Sequence, residues 1–414
     1  MIREILVYAS SFIGLFLVLF YVLSFFIRNE KKHFKMDLRR VSIIIPAYNE
    51  EKTIERTIES ALSLEYPRDK IEIIVVNDGS KDSTYKKSLA YRKHGVIVLD
   101  KKNGGKASAI NLGLKKATGE FILTMDADTF TTPLALKKMV VKFENPDVMS
   151  VTPGMLVKNV HGFLQRVQQM EYLIGIFLRK AFSSVNAIHI TPGAFSMYRK
   201  SFFDKYGGFQ EGNITEDLEI ALRIQSNNYI IENEPSATVY TIAPEKFMPL
   251  LIQRRRWYAG LMKNLWDYKH LFSRKYGDLG IIVLPAAAVT IFFTMLLTTY
   301  MVVQYIIDII KEIIKLKSVN LDFIYLIDFN RYVLDRFTIL VLSNPMTILG
   351  IIFILAFLLH VIYGKFKTSY KEKVKLGSAL FIAFYGIFFT FWWAISIVFV
   401  LLGKKIEWRK KEKV

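Results

Sequence analysis

Carboxylates gather at three points in the first third of the chain, each directly after a short run of β-branched residues. The three clusters are Pro46-Ala47-Tyr48-Asn49-Glu50, Asn77-Asp78-Gly79-Ser80 and Asp126-Ala127-Asp128. If the three clusters lie close together in the folded domain, their like charges repel unless a cation or a hydrogen-bonding ligand compensates them. The clusters therefore indicate a divalent metal with oxygen ligands and a phosphorylated substrate.

Each cluster also has a purely structural explanation. Asn77-Asp78-Gly79-Ser80 is an ordinary turn sequence. An Asp-x-Asp pair such as Asp126-Ala127-Asp128 occurs by chance in many proteins. Taken together, at the ends of successive strands, the clusters favour a ligand site over unrelated turns.

An alternation of strands and helices has to bring these clusters together. The predicted strands, short and apolar as in a buried parallel sheet, are Val41–Pro46, Ile71–Val76, Val96–Leu99 and Phe121–Met125. The predicted helices between them are Glu50–Ser63, Asp82–Lys93 and Lys106–Lys116, with Asn49 and Asp82 as N-caps. The pattern predicts a doubly wound, Rossmann-like α/β domain with a mostly parallel sheet, in which ligands bind beyond the carboxyl ends of the strands.

Outside this domain the apolar residues are segregated into long uncharged runs. The chain has 414 residues, 52% hydrophobic and 22% charged, and its mean hydropathy of +0.27 is too high for a disordered chain. Any one of these runs could be a buried core helix instead of a membrane span, above all the run in which Pro285 could kink the helix. Four runs could each cross a bilayer as a helix of roughly 20 residues, namely Ile5–Ile27, Leu279–Ile307, Phe337–Gly364 and Leu376–Gly403.

Charge and cysteine content narrow the function classes further. Disulfides, thiol catalysis and Cys-ligated metal centres are excluded because the sequence has no cysteine. The net charge of +19 is concentrated beside the apolar runs. We attribute it to contact with anionic lipid headgroups and not to nucleic acid, for which the sequence shows no motif.

The basic residues also predict an orientation, because basic loops stay on the cytoplasmic side of a membrane. They divide the chain into an N-terminal anchor and linker (1–40), a cytoplasmic domain (41–275) and a C-terminal transmembrane region of about three spans (276–414). The loop Asp308–Arg336 suits the outside. The basic tail after Gly403 favours the inside, which three full spans would not allow, so the number of full spans and the side of the tail stay open.

Five motifs, in this order, resemble those of the inverting family 2 glycosyltransferases and, within them, the membrane-integrated polysaccharide synthases. The similarity runs from Val41 to about Leu284 and implies a GT-A-type nucleotide-sugar-binding domain beside transmembrane helices. The pairing of T-E-D with Q-x-x-R-W is typical of the synthase branch. The motifs are Ile43–Glu50, Val75–Thr84, Asn103–Lys106, Met125–Asp128, and Thr215-Glu216-Asp217 followed by Gln253-Arg254-Arg255-Arg256-Trp257.

The resemblance implies roles on the donor side. Asp78 and Tyr48 would hold the nucleobase and ribose of a nucleoside-diphosphate sugar, with Pro46, Ala47 and Glu50 shaping the same pocket. Lys106, in a glycine-flanked turn, would be a second contact to the nucleotide. Asp126 would face the ribose side, and Asp128 would bind Mg²⁺ or Mn²⁺ at the diphosphate.

It implies roles on the acceptor side as well. Asp217, with Glu216 beside it, would supply the general base that inverting transfer needs. The alternative is that both acids only stabilise a helix N-terminus. Gly193 would let an acceptor sugar approach closely, or mark a plain turn. Gln253, Arg256 and Trp257 would contact phosphate and sugar, although a basic amphipathic helix resting on lipid explains the same segment.

The expected function is that of a membrane-bound, metal-dependent inverting glycosyltransferase. It would transfer a sugar from a nucleoside-diphosphate sugar, expected to be a UDP-sugar, to a growing polysaccharide at the cytoplasmic face. Transfer of one sugar to a lipid-linked acceptor is the alternative. A catalytically silent membrane protein that binds nucleotide sugars is a third possibility. The presence of Asp126, Asp128 and Asp217 argues against it, since a silent relative should have lost at least one of them.

Overall fold

The computed structural model describes residues 2–25, 38–318 and 345–403. The basic tail after Gly403 and the greater part of the predicted outer loop Asp308–Arg336 therefore lie outside the described residues. Where the loop is described it is helical, because the helix that begins at Leu284 continues to Ser318. The isoleucine pairs at 309–310 and 313–314 continue an apolar helical repeat beyond the uncharged run.

In the described part of the chain, the domain that follows the first apolar helix is built on one eight-stranded mixed sheet with the strand order β3-β2-β1-β4-β7-β6-β8-β5. Strands β3, β2, β1 and β4 are parallel, and β7 is antiparallel to β4. Strand β6 is antiparallel to β7 and parallel to β8, and β5 is antiparallel to β8. The strands are β1 Val41–Ala47, β2 Ile71–Asn77, β3 Ile97–Asp100, β4 Phe121–Met125, β5 Thr129–Thr131, β6 Val148–Val157, β7 Phe195–Arg199 and β8 Ile230–Thr241.

Helices cover both faces of this sheet and continue into the apolar C-terminal region. Short 3₁₀ turns lie at Arg68–Lys70, Ala90–His94, Val141–Glu144, Lys269–Leu271 and Arg274–Tyr276, and a π-helical turn lies at Leu279–Val283. The α-helices are α1 Ile2–Ser24, α2 Ile54–Leu62, α3 Thr84–Leu89, α4 Lys106–Lys116, α5 Ala135–Val140, α6 Phe163–Ser184, α7 Lys200–Tyr206, α8 Glu216–Ser226, α9 Phe247–Asp267, α10 Leu284–Ser318, α11 Pro345–Lys367 and α12 Lys375–Leu401.

Two apolar layers enclose the parallel half of the sheet, as the alternation of side chains along a strand requires. On one face Ile43 and Ile45 of β1 pack in a buried cluster with Ile58 of α2. On the other face Ile44 of β1 packs in a second cluster with Ile110 of α4. This double burial explains why the strands are continuous apolar runs, and it leaves the polar residues at their carboxyl ends as the rim of the sheet.

The predicted elements of this half agree with the structure apart from two helix starts. Helix Lys106–Lys116 has the predicted bounds. The prediction of Asn49 as an N-cap is wrong, because Asn49 has a φ of 56° and α2 begins later, at Ile54. The N-cap of α3 is Ser83 and not the predicted Asp82, although Asp82 accepts a hydrogen bond from the Thr84 amide (3.0 Å). Helix α3 ends at Leu89 and continues only as a 3₁₀ turn.

Among the described residues, four helices are long and apolar enough to cross a membrane, as predicted from the uncharged runs. Of the run Phe337–Gly364, residues 337–344 lie outside the described residues, and helix α11 extends past its predicted end to Lys367. Pro285 lies at the second position of α10, directly after the π-helical turn, so the helical hydrogen-bond pattern is irregular where proline has no amide proton to donate. Helix α6 packs against α11 and α12, and α9 packs against α12, so the apolar helices are joined to the sheet domain.

Candidate active site

Lys106 joins carboxylates from the two halves of the domain. Its ammonium nitrogen lies 2.7 Å from Asp126 Oδ1, at the end of β4, and 3.0 Å from Glu216 Oε1, at the start of α8. Burial alone would lower the pKa of Lys106, but the carboxylates of Asp126 and Glu216 outweigh it and raise the pKa. Lys106 is therefore a fixed positive charge at the centre of the rim, where the leaving group of a phosphorylated substrate would need one.

The turn that presents Lys106 is held by Asp78, at the end of β2. Asp78 is buried, and its carboxylate accepts hydrogen bonds from the Gly104 amide (3.0 Å), the Gly105 amide (2.9 Å) and Lys101 Nζ (2.8 Å). Gly105 has a φ of +89°, a conformation that glycine adopts without strain. Asp78 thus fixes the start of α4 in addition to any contact with a nucleobase.

Asp217 lies in the first turn of α8, where two backbone amides orient its carboxylate. The Leu218 amide donates to Oδ1 (3.0 Å) and the Gly193 amide donates to Oδ2 (3.3 Å). The Thr191 hydroxyl donates to the Asp217 carbonyl (2.7 Å). The interpretation of the T-E-D segment as a helix N-terminus agrees with the structure, because the acid lies in the first turn of α8. The interpretation of Asp217 as a general base stays a prediction.

The environment of Asp217 suits a general base. Burial, followed by the nearby charge of Glu216, raises the pKa of Asp217 to about 6, while Lys106 and Arg256 act in the opposite direction. A carboxyl group with a pKa near 6 is ionised at neutral pH and still basic enough to accept a proton.

Helix α9 carries Gln253, Arg256 and Trp257, and of these Arg256 acts directly on Asp217 while the ring of Trp257 lies against Arg254. Arg256 Nη1 lies 3.5 Å from the Ile214 carbonyl, and its charge acts on Asp217. The buried oxygen Oε1 of Gln253 has no hydrogen-bond partner within residues 2–25, 38–318 and 345–403. Because buried polar atoms are nearly always paired, it is a candidate contact for a ligand.

The second half of α9 is docked on the loop before α8. Asn264 is buried and donates to Thr215 Oγ1 (2.9 Å). A Cβ atom built on Gly260 would lie 2.2 Å from the same oxygen, so only glycine permits this close approach. The position of the Q-x-x-R-W helix is thereby tied to the loop that carries Glu216 and Asp217.

The remaining predicted residues lie on the same rim with less direct contacts. Glu50 accepts a hydrogen bond from the Thr53 hydroxyl (2.9 Å) at the start of α2, which gives it a structural role beside the predicted one. Pro46 and Ala47 end β1, and Tyr48 follows them. Asp128 lies near Tyr172 of α6. Burial is the main reason that the pKa of Tyr172 is raised to about 12, and the negative charges of Glu171 and Asp128 act in the same direction.

Three residues that the sequence analysis did not single out contribute to these arrangements. Lys101 follows the third strand of the parallel half, so its position at a strand end is a signal that was available. Arg254 is buried in the middle of the Q-x-x-R-W motif and pairs with Glu171 of α6. That pairing joins distant segments, and no local pattern indicates it.

The carboxylate oxygens of the site would suit a metal ion that binds together with the substrate. Within the part of the chain that the structure describes, no group of three His, Cys, Asp or Glu residues could hold a metal ion. Mg²⁺ in phosphate-transferring sites is typically bound by one or two carboxylates together with substrate phosphates, not by a cage of protein ligands. Asp128, with Asp126 two residues before it, could supply that small number of oxygen ligands.

This mixed sheet, with Asp-x-Asp after β4, defines the class of protein: a glycosyltransferase with the GT-A fold. Residues 42–207 match the family model described as Glycosyl transferase family 2, and this part of the chain is a glycosyltransferase domain of that family. The recognition made from the five motifs is confirmed.

Similar proteins extend the comparison beyond this domain. The chain is 27% identical, over 97% of its length and 93% of the relative, to a poly-beta-1,6-N-acetyl-D-glucosamine synthase of Staphylococcus epidermidis. It is 32% identical to the protein of the same name in Staphylococcus aureus (strain COL), an alignment that spans 56% of this chain and 57% of that relative.

A solved structure with the same fold is the mannosyltransferase PcManGT from Pyrobaculum calidifontis in complex with GDP-Man and Mn²⁺. The TM-score is 0.53 at 20% sequence identity, and the match covers 89% of this chain and 99% of that chain. At this identity the likeness establishes the fold alone.

Proposed function

We propose that this chain is a membrane-bound inverting glycosyltransferase that extends a polysaccharide from a nucleoside-diphosphate sugar at the cytoplasmic face of the membrane. The observation that carries the proposal is the position of Asp217. Its carboxylate, with a pKa of about 6, is fixed by the Gly193 amide in a site whose central cation is Lys106.

In the proposed reaction Asp217 takes the proton of the attacking acceptor hydroxyl. The oxygen of that hydroxyl then forms the new bond to the anomeric carbon, and the nucleoside diphosphate leaves from the opposite face. Lys106 and Arg256 stabilise the negative charge that develops on the leaving group. Glu216 keeps Lys106 in place, and Trp257 offers an apolar face to the acceptor sugar.

On the donor side Tyr48 and Asp78 would hold the nucleoside, with Pro46, Ala47 and Glu50 around it and Asp126 toward the ribose. Asp128 would bind Mg²⁺ or Mn²⁺. When bound, such a metal offsets the charge of the diphosphate. The support for this assignment is the position of Asp126 and Asp128 directly after β4, beside the cation of Lys106.

Metal dependence gives a direct prediction. Dialysis against EDTA should abolish sugar transfer by the purified membrane protein, and added Mg²⁺ or Mn²⁺ should restore it. Asp128→Asn should raise the metal concentration needed for half-maximal rate by about 10-fold to 100-fold, because one ligand charge is lost. A metal titration of the initial rate measures this, and full activity in EDTA would contradict the metal assignment.

The pH dependence of transfer gives a second prediction. Because the base form of Asp217 is ionised, kcat/KM should fall as the pH drops below about 6 and reach a plateau above it. Glu216→Gln removes a negative charge that raises the pKa of Asp217, so the acidic limb should move to lower pH. Arg256→Gln removes a positive charge that lowers this pKa, so the limb should move to higher pH. Shifts of both variants in one direction would contradict the assignment of the limb to Asp217.

The identity of the transferred sugar, and whether it is added to a polymer, can be tested with membranes that contain the protein. N-acetylglucosamine is the first sugar to test, because the relatives are named for its polymer. A panel of radiolabelled nucleotide sugars that includes UDP-N-acetylglucosamine is incubated with the membranes, and the product is sized. A ladder of long polymers supports the proposal, whereas a single lipid-extractable monosaccharide adduct would replace it with transfer to a lipid-linked acceptor.

A further inference from the structure

Arg254 is a buried guanidinium that the proposed chemistry does not use. It lies on α9, and only 1% of its side chain is exposed. Its Nη1 and Nη2 atoms each lie 2.6 Å from an oxygen of Glu171 on α6. The hydroxyl of Tyr385, on the apolar helix α12, donates to the same carboxylate (3.2 Å). Three helices therefore meet at this ion pair.

The flat guanidinium of Arg254 also contacts two indole rings. Its Cζ atom lies 4.5 Å from the ring centroid of Trp257 and 5.3 Å from that of Trp392 on α12. Arginine suits this position because its planar group can stack on aromatic rings while its edge binds a carboxylate with two hydrogen bonds. Glu171 therefore fixes the edge of the guanidinium, and the guanidinium in turn fixes the ring of Trp257.

Stability alone explains this arrangement poorly. A buried ion pair often contributes no more to folding than apolar side chains of the same volume, because both charges lose their hydration. Its distinctive property is geometry, since two parallel hydrogen bonds allow one orientation. The residue held in that orientation is the tryptophan proposed to meet the acceptor sugar.

We infer that Arg254 is a positioning residue for the acceptor, which holds the indole of Trp257 through its ion pair with Glu171. The inference rests on the proposed function, in which Trp257 contacts the acceptor. Through Tyr385 the same contact ties the acceptor side of the site to the apolar helix α12.

The test uses Arg254→Lys, which keeps the positive charge and loses the planar fork. UDP-N-acetylglucosamine serves as the donor and an N-acetylglucosamine hexamer as the acceptor. We expect the KM for the hexamer to rise about 10-fold, while the KM for the donor stays within about twofold of wild type. The control is Arg255→Lys on the same helix, whose cation lies over Phe399 (4.1 Å). The control should leave both constants unchanged.

A double-mutant cycle separates positioning from general support of the fold. If Arg254 acts through Trp257, Arg254→Lys should have no further effect in a Trp257→Ala background. Equal effects in both backgrounds would overturn the inference. Glu171→Gln, which removes the charge at nearly constant volume, should reproduce the effect of Arg254→Lys and serves as the second variant if the first does not fold.

A fluorescence measurement tests the placement of Trp257 without relying on activity. The emission of Trp257 is obtained by subtracting the spectrum of Trp257→Phe, and its quenching by acrylamide is compared between variants. Quenching should increase in Arg254→Lys and stay constant in Arg255→Lys. If wild-type protein transfers no sugar, the proposed function fails and the quenching result still decides whether Arg254 positions the indole. Unchanged quenching in folded Arg254→Lys would overturn the inference.

Discussion

Asp217→Asn should reduce the rate of sugar transfer by about 100-fold to 10,000-fold, the range that a positioned general base contributes. Asparagine has nearly the same shape, and its single amide oxygen can still accept one of the two hydrogen bonds that the Leu218 and Gly193 amides donate to the separate oxygens of Asp217. It cannot accept the proton of the attacking hydroxyl. The fold and nucleotide binding should therefore persist while transfer is lost.

The measurement is the initial rate of transfer from a radiolabelled donor, with nucleotide binding followed by calorimetry on the same preparation. The control is Asp204→Asn. Asp204 is exposed and lines a surface cleft with Arg40 and Glu120, at the amino ends of β1 and β4 and thus on the opposite edge of the sheet. It should retain wild-type activity. Wild-type turnover by purified Asp217→Asn would exclude Asp217 as the base.

The parallel half of the sheet and its acidic rim could be predicted because both are local features of the sequence. A buried parallel strand is a continuous apolar run, and the residues that follow it lie at the ligand-binding edge. Asp78 and Asp126 were found in this way, one strand end at a time. Strands β6, β7 and β8, in the other half of the sheet, have no comparable signal; β6, for example, is interrupted by Pro153 and Gly154 at a register shift.

The pairings inside the site could not be predicted, because each joins residues that only tertiary packing brings together. Lys106 and Glu216 belong to different halves of the domain, and Glu171 and Arg254 to different helices. Adjacent residues on a helix point about 100° apart, so the sequence also left open which acid of the pair Glu216-Asp217 would face Lys106. The structure gives the ion pair to Glu216 and leaves Asp217 to the backbone amides of Leu218 and Gly193.

These pairings assign different tasks to the two acids. Glu216 is held in an ion pair with Lys106, whereas Asp217 has a raised pKa and accepts hydrogen bonds from two backbone amides. Any change that displaces Lys106 from Glu216 should therefore disturb both tasks at once. Gly193 is the position where the smallest substitution would do so.

Gly193→Ala should lower the transfer rate by about 100-fold with little loss of stability, since a displacement of about 1 Å in an active site can cost that much. A Cβ atom built on Gly193 would lie 2.5 Å from Lys106 Nζ and 3.7 Å from Glu216 Oε1. The flexible end of the lysine can move away, so the fold accommodates the methyl group. The ammonium group must then leave the position between Asp126 and Glu216.

Rate and melting temperature of Gly193→Ala, measured together, distinguish this mechanism from a loss of folding. The matched control is Gly162→Ala, because Gly162 has ordinary extended backbone (φ −85°, ψ 169°) and nothing within 4 Å of an added Cβ atom. It should keep both the rate and the melting temperature. A wild-type rate for Gly193→Ala would show that transfer does not need Lys106 between the two carboxylates. A large fall in melting temperature would instead assign Gly193 to the fold, because the methyl group would then have displaced more than the end of one lysine side chain.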